Sequence, residues 1–402
     1  MPGSLPNLRV AIVHYWFMGY AGGERVVAAL AEMFPQADLF ALMADPRALT
    51  PELSAHRLTT SFLQKIPGNR RWYRHLLPLQ PIALEQLDVS GYDLILSSES
   101  GPAKGVISPA HACHICYCHS PMRYLWDMYH EYRQNMGPVM RAFFSATAHY
   151  IRMWDLASAA RVDHFVANSF NVAARIRKHY RRESSVIHPP ATITDACVAD
   201  RTEDYYLVVS RLIDYKRVDL AIAACKRLGR RLRIVGDGDQ YKQLRKLAGP
   251  GIEFLGYLRE PDLHTCYAHC RALLFPGEED FGIVPVEAQS FGRPVIAYGR
   301  GGALETVIGQ SADDYFLPEK STGVFFSEQT PESVADAIHL FESAEAKFDP
   351  NFIHASAQRF DLSRFKSNMH DLIGQCLEEH RDGTEPFMRG QTVSTPVPQN
   401  VA

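Results

Sequence analysis

Apolar positions fall into two alternating patterns along the chain. Residues 8–14 (Leu-Arg-Val-Ala-Ile-Val-His) form a nearly continuous apolar run with β-branched members, which predicts a parallel strand covered on both faces. After a glycine-rich turn, residues 26–34 place apolar side chains at helical spacing. Runs at 38–43, 92–97, 113–118 and 164–167 read as further strands, with helical segments at 141–160 and 171–180 among them. The pattern breaks around 181–203, where Arg181-Arg182-Glu183 is polar and His188-Pro189-Pro190 cannot continue a helix. A second series follows. Strands are predicted at 205–210, 232–235, 252–255, 272–275 and 295–297, and helices at 218–228, 240–247 and 261–270. Helices at 332–344 and 362–379 close the ordered pattern. Such repeated βα units predict an α/β chain of two doubly wound, Rossmann-like domains facing a cleft.

One strand-loop-helix junction stands out, residues 275–287 (Phe-Pro-Gly-Glu-Glu-Asp-Phe-Gly-Ile-Val-Pro-Val-Glu). The helix starts with unpaired amides, and its dipole favours an anion there. Gly282 lets the backbone come close to a ligand. Glu279 and Glu287 bracket the site, which fits a ligand carrying both phosphates and hydroxyls. An ordinary βα loop with solvated acids fits equally well at this point.

Composition narrows the classes. The chain has 402 residues, 46% apolar and 22% charged, with a net charge of −3. That length predicts two domains, and that charge gives no global reason to bind nucleic acid. No apolar run is long enough to span a membrane. The start Met1-Pro2-Gly3-Ser4-Leu5-Pro6 lacks the pattern of a secretory signal, so a cytoplasmic location with reduced thiols is expected for the eight cysteines. The cluster His111-Ala-Cys113-His114-Ile-Cys116-Tyr-Cys118-His119 has the look of zinc ligands. No second ligand pair follows, and strand alternation would point these side chains to opposite faces. A buried strand is the better account, and no metal is expected.

Three other stretches carry candidate chemistry. Arg211 and Lys216 flank a short loop between a predicted strand and helix; cations there oppose the helix dipole, and an anion such as a diphosphate would justify them. His119 follows a predicted strand, with Arg123, Trp126 and Asp127 close behind in a mixture that suits carbohydrate. Gly22-Gly23 follows the first strand but matches neither a dinucleotide nor a Walker fingerprint. The run 65–77 mixes basic and aromatic residues suited to an anionic membrane surface or to a solvated face, whereas 175–182 reads as a solvated face. From 381 to 402 a flexible tail is expected.

Together these pieces resemble the retaining family 4 glycosyltransferases of GT-B architecture. Glu279-Asp-Phe-Gly-Ile-Val-Pro-Val-Glu287 matches their E-x7-E element, Arg211 and Lys216 their cationic pair, Gly22-Gly23 their glycine loop and His119 their active-site histidine. The resemblance implies that Glu279 contacts the donor sugar and Glu287 the ribose. Phe281, Gly282, Ile283 and Val284 would offer backbone amides, and residues 254–257 would face the base. It implies domains at 1–183 and 184–361, with a helix at 362–380 packed back on the first. The segment 118–127 is similar, more narrowly, to bacterial mannosyltransferases of polysaccharide and O-antigen assembly. That implies GDP-mannose as donor, no cofactor, a polyprenyl-diphosphate-linked saccharide as acceptor and a peripheral place at the cytoplasmic membrane. Ile193-Thr194 departs from relatives that carry an Asp there. A UDP-sugar donor, a nucleotide-sugar epimerase and a non-catalytic binding relative are the competing readings.

Overall fold

The computed structural model describes residues 8–68, 73–134, 136–193, 196–310 and 317–388. Positions 69–72 of the basic run, Thr194, and 389–402 of the expected tail lie outside the described residues.

Two seven-stranded sheets are present. The first contains β1 (Val10–Phe17), β2 (Asp38–Ala44), β3 (Leu58–Thr60), β4 (Leu94–Glu99), β5 (Cys113–Cys118), β6 (His164–Ala167) and β7 (Ser185–Val186), in the order β3-β2-β1-β4-β5-β6-β7. The second contains β8 (Tyr206–Val209), β9 (Leu232–Val235), β10 (Ile252–Gly256), β11 (Leu273–Phe275), β12 (Val295–Tyr298), β13 (Gly309–Gln310) and β14 (Gly323–Phe326), in the order β10-β9-β8-β11-β12-β14-β13. β1 runs parallel to β2 and β4, and β8 runs parallel to β9 and β11. Each chain of strands therefore winds one way from its first strand and then reverses, the doubly wound arrangement. The reversal leaves a crevice at the carboxyl ends of β1/β4 in one sheet and of β8/β11 in the other.

Alternation along the strands explains why both faces are covered. Tyr206 and Val208 join one core cluster with Leu274, Ile296 and the helices Val218–Leu228 and Pro331–Ala344. Their neighbours Tyr205 and Leu207 join another with Leu273, Phe275, Val295 and Ala297. Successive strand side chains point to opposite faces, so an all-apolar strand must be sandwiched. Such burial stabilises by roughly 1.5–3 kcal/mol per large side chain.

By compactness the chain divides into a first unit of Met1–Val166, Ile176–Ser185 and Lys366–Ala402, and a second of Ala167–Arg175 and Val186–Phe365. The division differs from a single boundary at 183/184. Segment 167–175 belongs with the second unit because Glu305 accepts the N–H groups of Phe170 (2.8 Å) and Asn171 (2.9 Å). Ser169 Oγ also donates to the Asp280 carbonyl at 2.7 Å, and Arg175 pairs with the Asp280 carboxylate. The expected loose tail is corrected up to 388. The last helix is Leu362–Met388, because Phe365, Met369, Ile373 and Cys376 bury one stripe and each added residue then needs only one hydrogen bond to continue. Among the described residues no helix is long and apolar enough to cross a membrane.

Candidate active site

The second unit assembles its candidate residues at the β8/β11 crevice. β11 ends at Phe275, and the loop 276–282 leads into the helix Ile283–Ser290. Gly282 is the residue before that helix, with φ +90°, a conformation that only glycine adopts without strain. The amides of Ile283 and Val284 open the helix, where no carbonyl of the same helix can accept them. Phe281 is buried against His188 and Phe360, so only its backbone faces this loop. A second turn, 299–302, supports the loop from behind. The Gly302 N–H donates to the Glu279 carbonyl at 2.9 Å, and a Cβ on Gly302 would lie 2.3 Å from Phe281 Cα. No larger residue fits there.

From the neighbouring strand β8 comes the cationic loop. Its backbone is tied to the 236–238 turn by the Leu212 N–H donating to the Asp237 carbonyl at 2.9 Å. A 3-10 turn, Asp214–Lys216, then brings Lys216 Nζ onto the Glu279 carboxylate. Their side chains are only 15% and 19% exposed, so the pair is largely withdrawn from water. Burial alone would lower the Lys216 pKa, but Glu279 first, then Tyr215 and Asp280, more than offset it and hold the ammonium above the ordinary lysine value. Arg211 stands exposed at the start of the same loop. Glu287 is buried in the following helix and accepts the Tyr267 hydroxyl at 2.7 Å. Tyr257, just after β10, is 85% exposed and offers an open aromatic face.

In the first unit the corresponding crevice holds imidazoles. Gly22 and Gly23 open the helix Gly22–Met33, and Glu24 Oε2 accepts the Ala21 N–H at 3.0 Å. A Cβ on Gly23 would lie 3.5 Å from His14 Cε1 and 3.7 Å from His119 Nε2, so glycine loop and histidines share one small space. His119 Nε2 lies 2.9 Å from Ser98 Oγ, and His14 Nδ1 lies 3.0 Å from the Ser98 carbonyl. Burial, reinforced by His14, pushes the His119 pKa down to about 3, so its imidazole is neutral at physiological pH. His14 and Ser98 complete this cluster. Neither stands out in the sequence, since each is one polar residue within a strand.

The residues after His119 make contacts within the first unit. The Trp126 indole N–H donates to Asp155 at 2.8 Å, and its ring stacks on His179. Asp127 pairs with His179 Nε2 at 3.0 Å, while Arg123 is half-buried beside them in sequence. Behind Trp126 lies a charged cluster that the sequence did not announce. Lys104 is fully buried between the Asp155 and Glu99 carboxylates, the latter at 3.3 Å. The Tyr180 hydroxyl donates to Asp155 at 3.0 Å. One ammonium against two acids leaves Glu99 raised to about 7, chiefly by burial, with Lys104 opposing and Asp155 adding to the rise. The Glu99 carbonyl accepts the His119 N–H at 2.6 Å, so this cluster fixes the backbone that presents His119.

Comparison with known proteins bears on the family and the fold. Residues 20–193 match the family described as Glycosyltransferase Family 4, and residues 193–359 match Glycosyl transferases group 1. The mouse alpha-1,3/1,6-mannosyltransferase ALG2 is 24% identical over 65% of this chain and 68% of its own length. The O-antigen chain mannosyltransferase RfbU of Salmonella typhimurium is 24% identical over 58% of this chain and 64% of its own. The Corynebacterium glutamicum GDP-mannose-dependent monoacylated alpha-(1-6)-phosphatidylinositol monomannoside mannosyltransferase is 37% identical, over 24% of this chain and 30% of its own. In fold, the crystal structure of Anabaena HepE with UDP and glucose aligns over 92% of this chain and all of that one, with a TM-score of 0.66 at 16% identity. Two matched family regions that meet at residue 193, over two doubly wound sheets, place this chain in the family 4 glycosyltransferases of GT-B fold.

Proposed function

We propose that the protein transfers mannose from GDP-mannose, with retention of configuration, onto a lipid-linked saccharide in bacterial polysaccharide assembly. The observation that carries the reading is the Lys216–Glu279 pair at the β8/β11 crevice, beside a helix start with free amides. A diphosphate entering this crevice would take Lys216 from Glu279 and gain Arg211, leaving Glu279 to accept a sugar hydroxyl. The cations then stabilise the charge that grows on the leaving diphosphate. The C1–O bond to the diphosphate breaks, and a C1–O bond to the acceptor hydroxyl forms on the same face. The acceptor proton passes to a phosphate oxygen. Within the first unit, neutral His119 presents a ring nitrogen beside the Gly23 turn that suits a sugar hydroxyl. Glu287 is assigned to the ribose and Tyr257 to stacking on the base. The reading uses no cofactor.

Mannose as the sugar is supported by the relatives' names, two mannosyltransferases among them at similar identity. A membrane surface as partner is supported by one helix. On Pro138–Ala159, Val139 (84% exposed), Phe143 (60%), Met153 (55%) and Leu156 (46%) face solvent at helical spacing, together with Ala142, Ala146 and Tyr150. That face carries no Asp, Glu, Lys or Arg, and its polar groups include the His149 imidazole and the Tyr150 hydroxyl. Arg133, Arg141 and Arg152 lie half-buried along this helix and the short one before it, and Glu131 is the exposed acid. An apolar stripe edged by cations suits an anionic leaflet. It is a better candidate than 65–77, part of which lies outside the described residues.

The test incubates the purified chain with GDP-mannose or UDP-sugars and a polyprenyl-diphosphate-linked saccharide. Mass spectrometry reads the product and NMR its anomeric configuration. A single added hexose in the α configuration, from GDP-mannose only, is expected. Transfer from UDP-sugars alone would overturn the donor, and a β product would overturn retention. Free sugar epimers formed from donor alone would overturn transfer itself.

A further inference from the structure

At the opposite end of β5 from His119, three different metal-ligating side chains converge. Cys113 opens β5, and Asp163 lies just before β6. His380 comes from the last helix, Leu362–Met388. One ligand atom from each lies within 4.8 Å of the other two. Cys113 and His119 stand at opposite ends of one strand, roughly 20 Å apart at the usual rise, so this cluster is separate from the candidate active site.

We propose that Cys113, Asp163 and His380 bind a divalent transition-metal ion, zinc by ligand type, which fastens the last helix to the first unit's sheet. The proposal is independent of the glycosyl-transfer reading. Thiolate, carboxylate and imidazole are the three common protein ligands of zinc, and three of them leave a fourth position for water. Around a bound ion with bonds of about 2.0–2.3 Å, ligand atoms sit roughly 3.3–3.7 Å apart, so the cluster needs to close by only about an ångström. Its backbone is already set for this. The His114 N–H donates to Asp163 Oδ2 at 2.8 Å, and the Asp163 N–H donates to the His114 carbonyl at 3.0 Å, which holds the carboxylate beside β5. Cys113 Sγ donates to the Cys376 carbonyl at 3.9 Å, and Cys376 stands one helical turn before His380 on the same face. The thiol is thus already seated against the helix that supplies the imidazole. Glu379 adds negative charge nearby, pairing with His164 at 3.8 Å, and a dication would offset that charge. The three ligands come from positions 113, 163 and 380, far apart in the chain.

The test uses the full chain produced without a polyhistidine tag, stripped with a chelator, then loaded with Zn2+ or Co2+ and desalted. Elemental analysis should find a single ion per chain. The cobalt form should show a thiolate-to-metal charge-transfer band, and zinc should raise the melting temperature through binding to the folded state. Cys113→Ser should abolish the band, and His380→Ala should lose the retained ion. Cys197→Ser, at an exposed cysteine elsewhere, should change neither. If Cys113→Ser fails to fold, His380→Ala carries the test, with circular dichroism checking its fold. No retained metal would overturn the proposal. So would an adventitious ion only, retained equally by His380→Ala.

Discussion

At the residue scale, the candidate site is a set of charges held against one another. Lys216→Met or Glu279→Gln should each lower kcat by about 10²–10³-fold, the cost of removing one group that stabilises transition-state charge. Each change also strands a largely buried partner, so melting temperature should drop. In the double variant the stranded charge is gone. Its melting temperature should recover while its activity should not. Recovery of activity in the double variant would show that the pair is only structural. The Lys104 cluster makes a second prediction. Glu99 has a folded pKa of about 7 against an ordinary 4.5. Between those values the unfolded chain releases this proton while the folded protein keeps it, so the folded state loses stability as pH rises through that window. Glu99→Gln removes the titrating group. Its melting temperature relative to wild type should therefore climb from pH 4.5 to 7 and level off above. A difference that stays flat with pH would sink the account. Glu279, Glu287, Arg211, Lys216 and His119 could be singled out in the sequence because the family motifs they resemble are short and local. His14, Ser98 and Lys104 could not, since nothing in the sequence marks them out and their partners come from other strands and helices.

At the element scale, most strands and helices were legible because burial on two faces leaves long apolar runs. β5, β6, β9 and the helix Val218–Leu228 have the bounds their patterns predict. β3, β13 and β14 and the helix Pro350–Ala357 were missed. Elements of two to eight residues give too few positions for a period to show. The helix Pro138–Ala159 illustrates a different limit. Its pattern predicts a helix, yet only the fold shows that an apolar face stays uncovered. Phe143→Glu and Met153→Glu should weaken sedimentation with phosphatidylserine-containing vesicles by about 10-fold or more each, the worth of one buried apolar side chain. Because both sites are exposed, melting temperatures should shift by less than about 0.5 kcal/mol equivalent. Unchanged vesicle binding would remove this helix as the contact.

At the scale of the whole molecule, the chain returns to its first unit at Lys366 after completing the second. The last helix buries Met369, Ile373 and Cys376, and Lys366 pairs with Glu32 at 2.5 Å. A chain ending at residue 361 should therefore lose stability, by roughly 1.5–3 kcal/mol for each large apolar side chain withdrawn. Denaturant unfolding measures this, and an unchanged midpoint would mean that the helix contributes nothing to the fold. Local pattern along the chain was sufficient for two doubly wound domains, for the strand that contains Cys113, and for the junction from Glu279 to Glu287. These depend on contacts between residues near in sequence, where periodicity and turn chemistry act directly. Folding alone decided that Lys216 rests on Glu279, that Trp126 serves a buried carboxylate, and that Cys113 meets Asp163 and His380. Each of those meetings joins segments brought together by strand order and helix packing, and no spacing in a linear chain encodes which strand ends become neighbours.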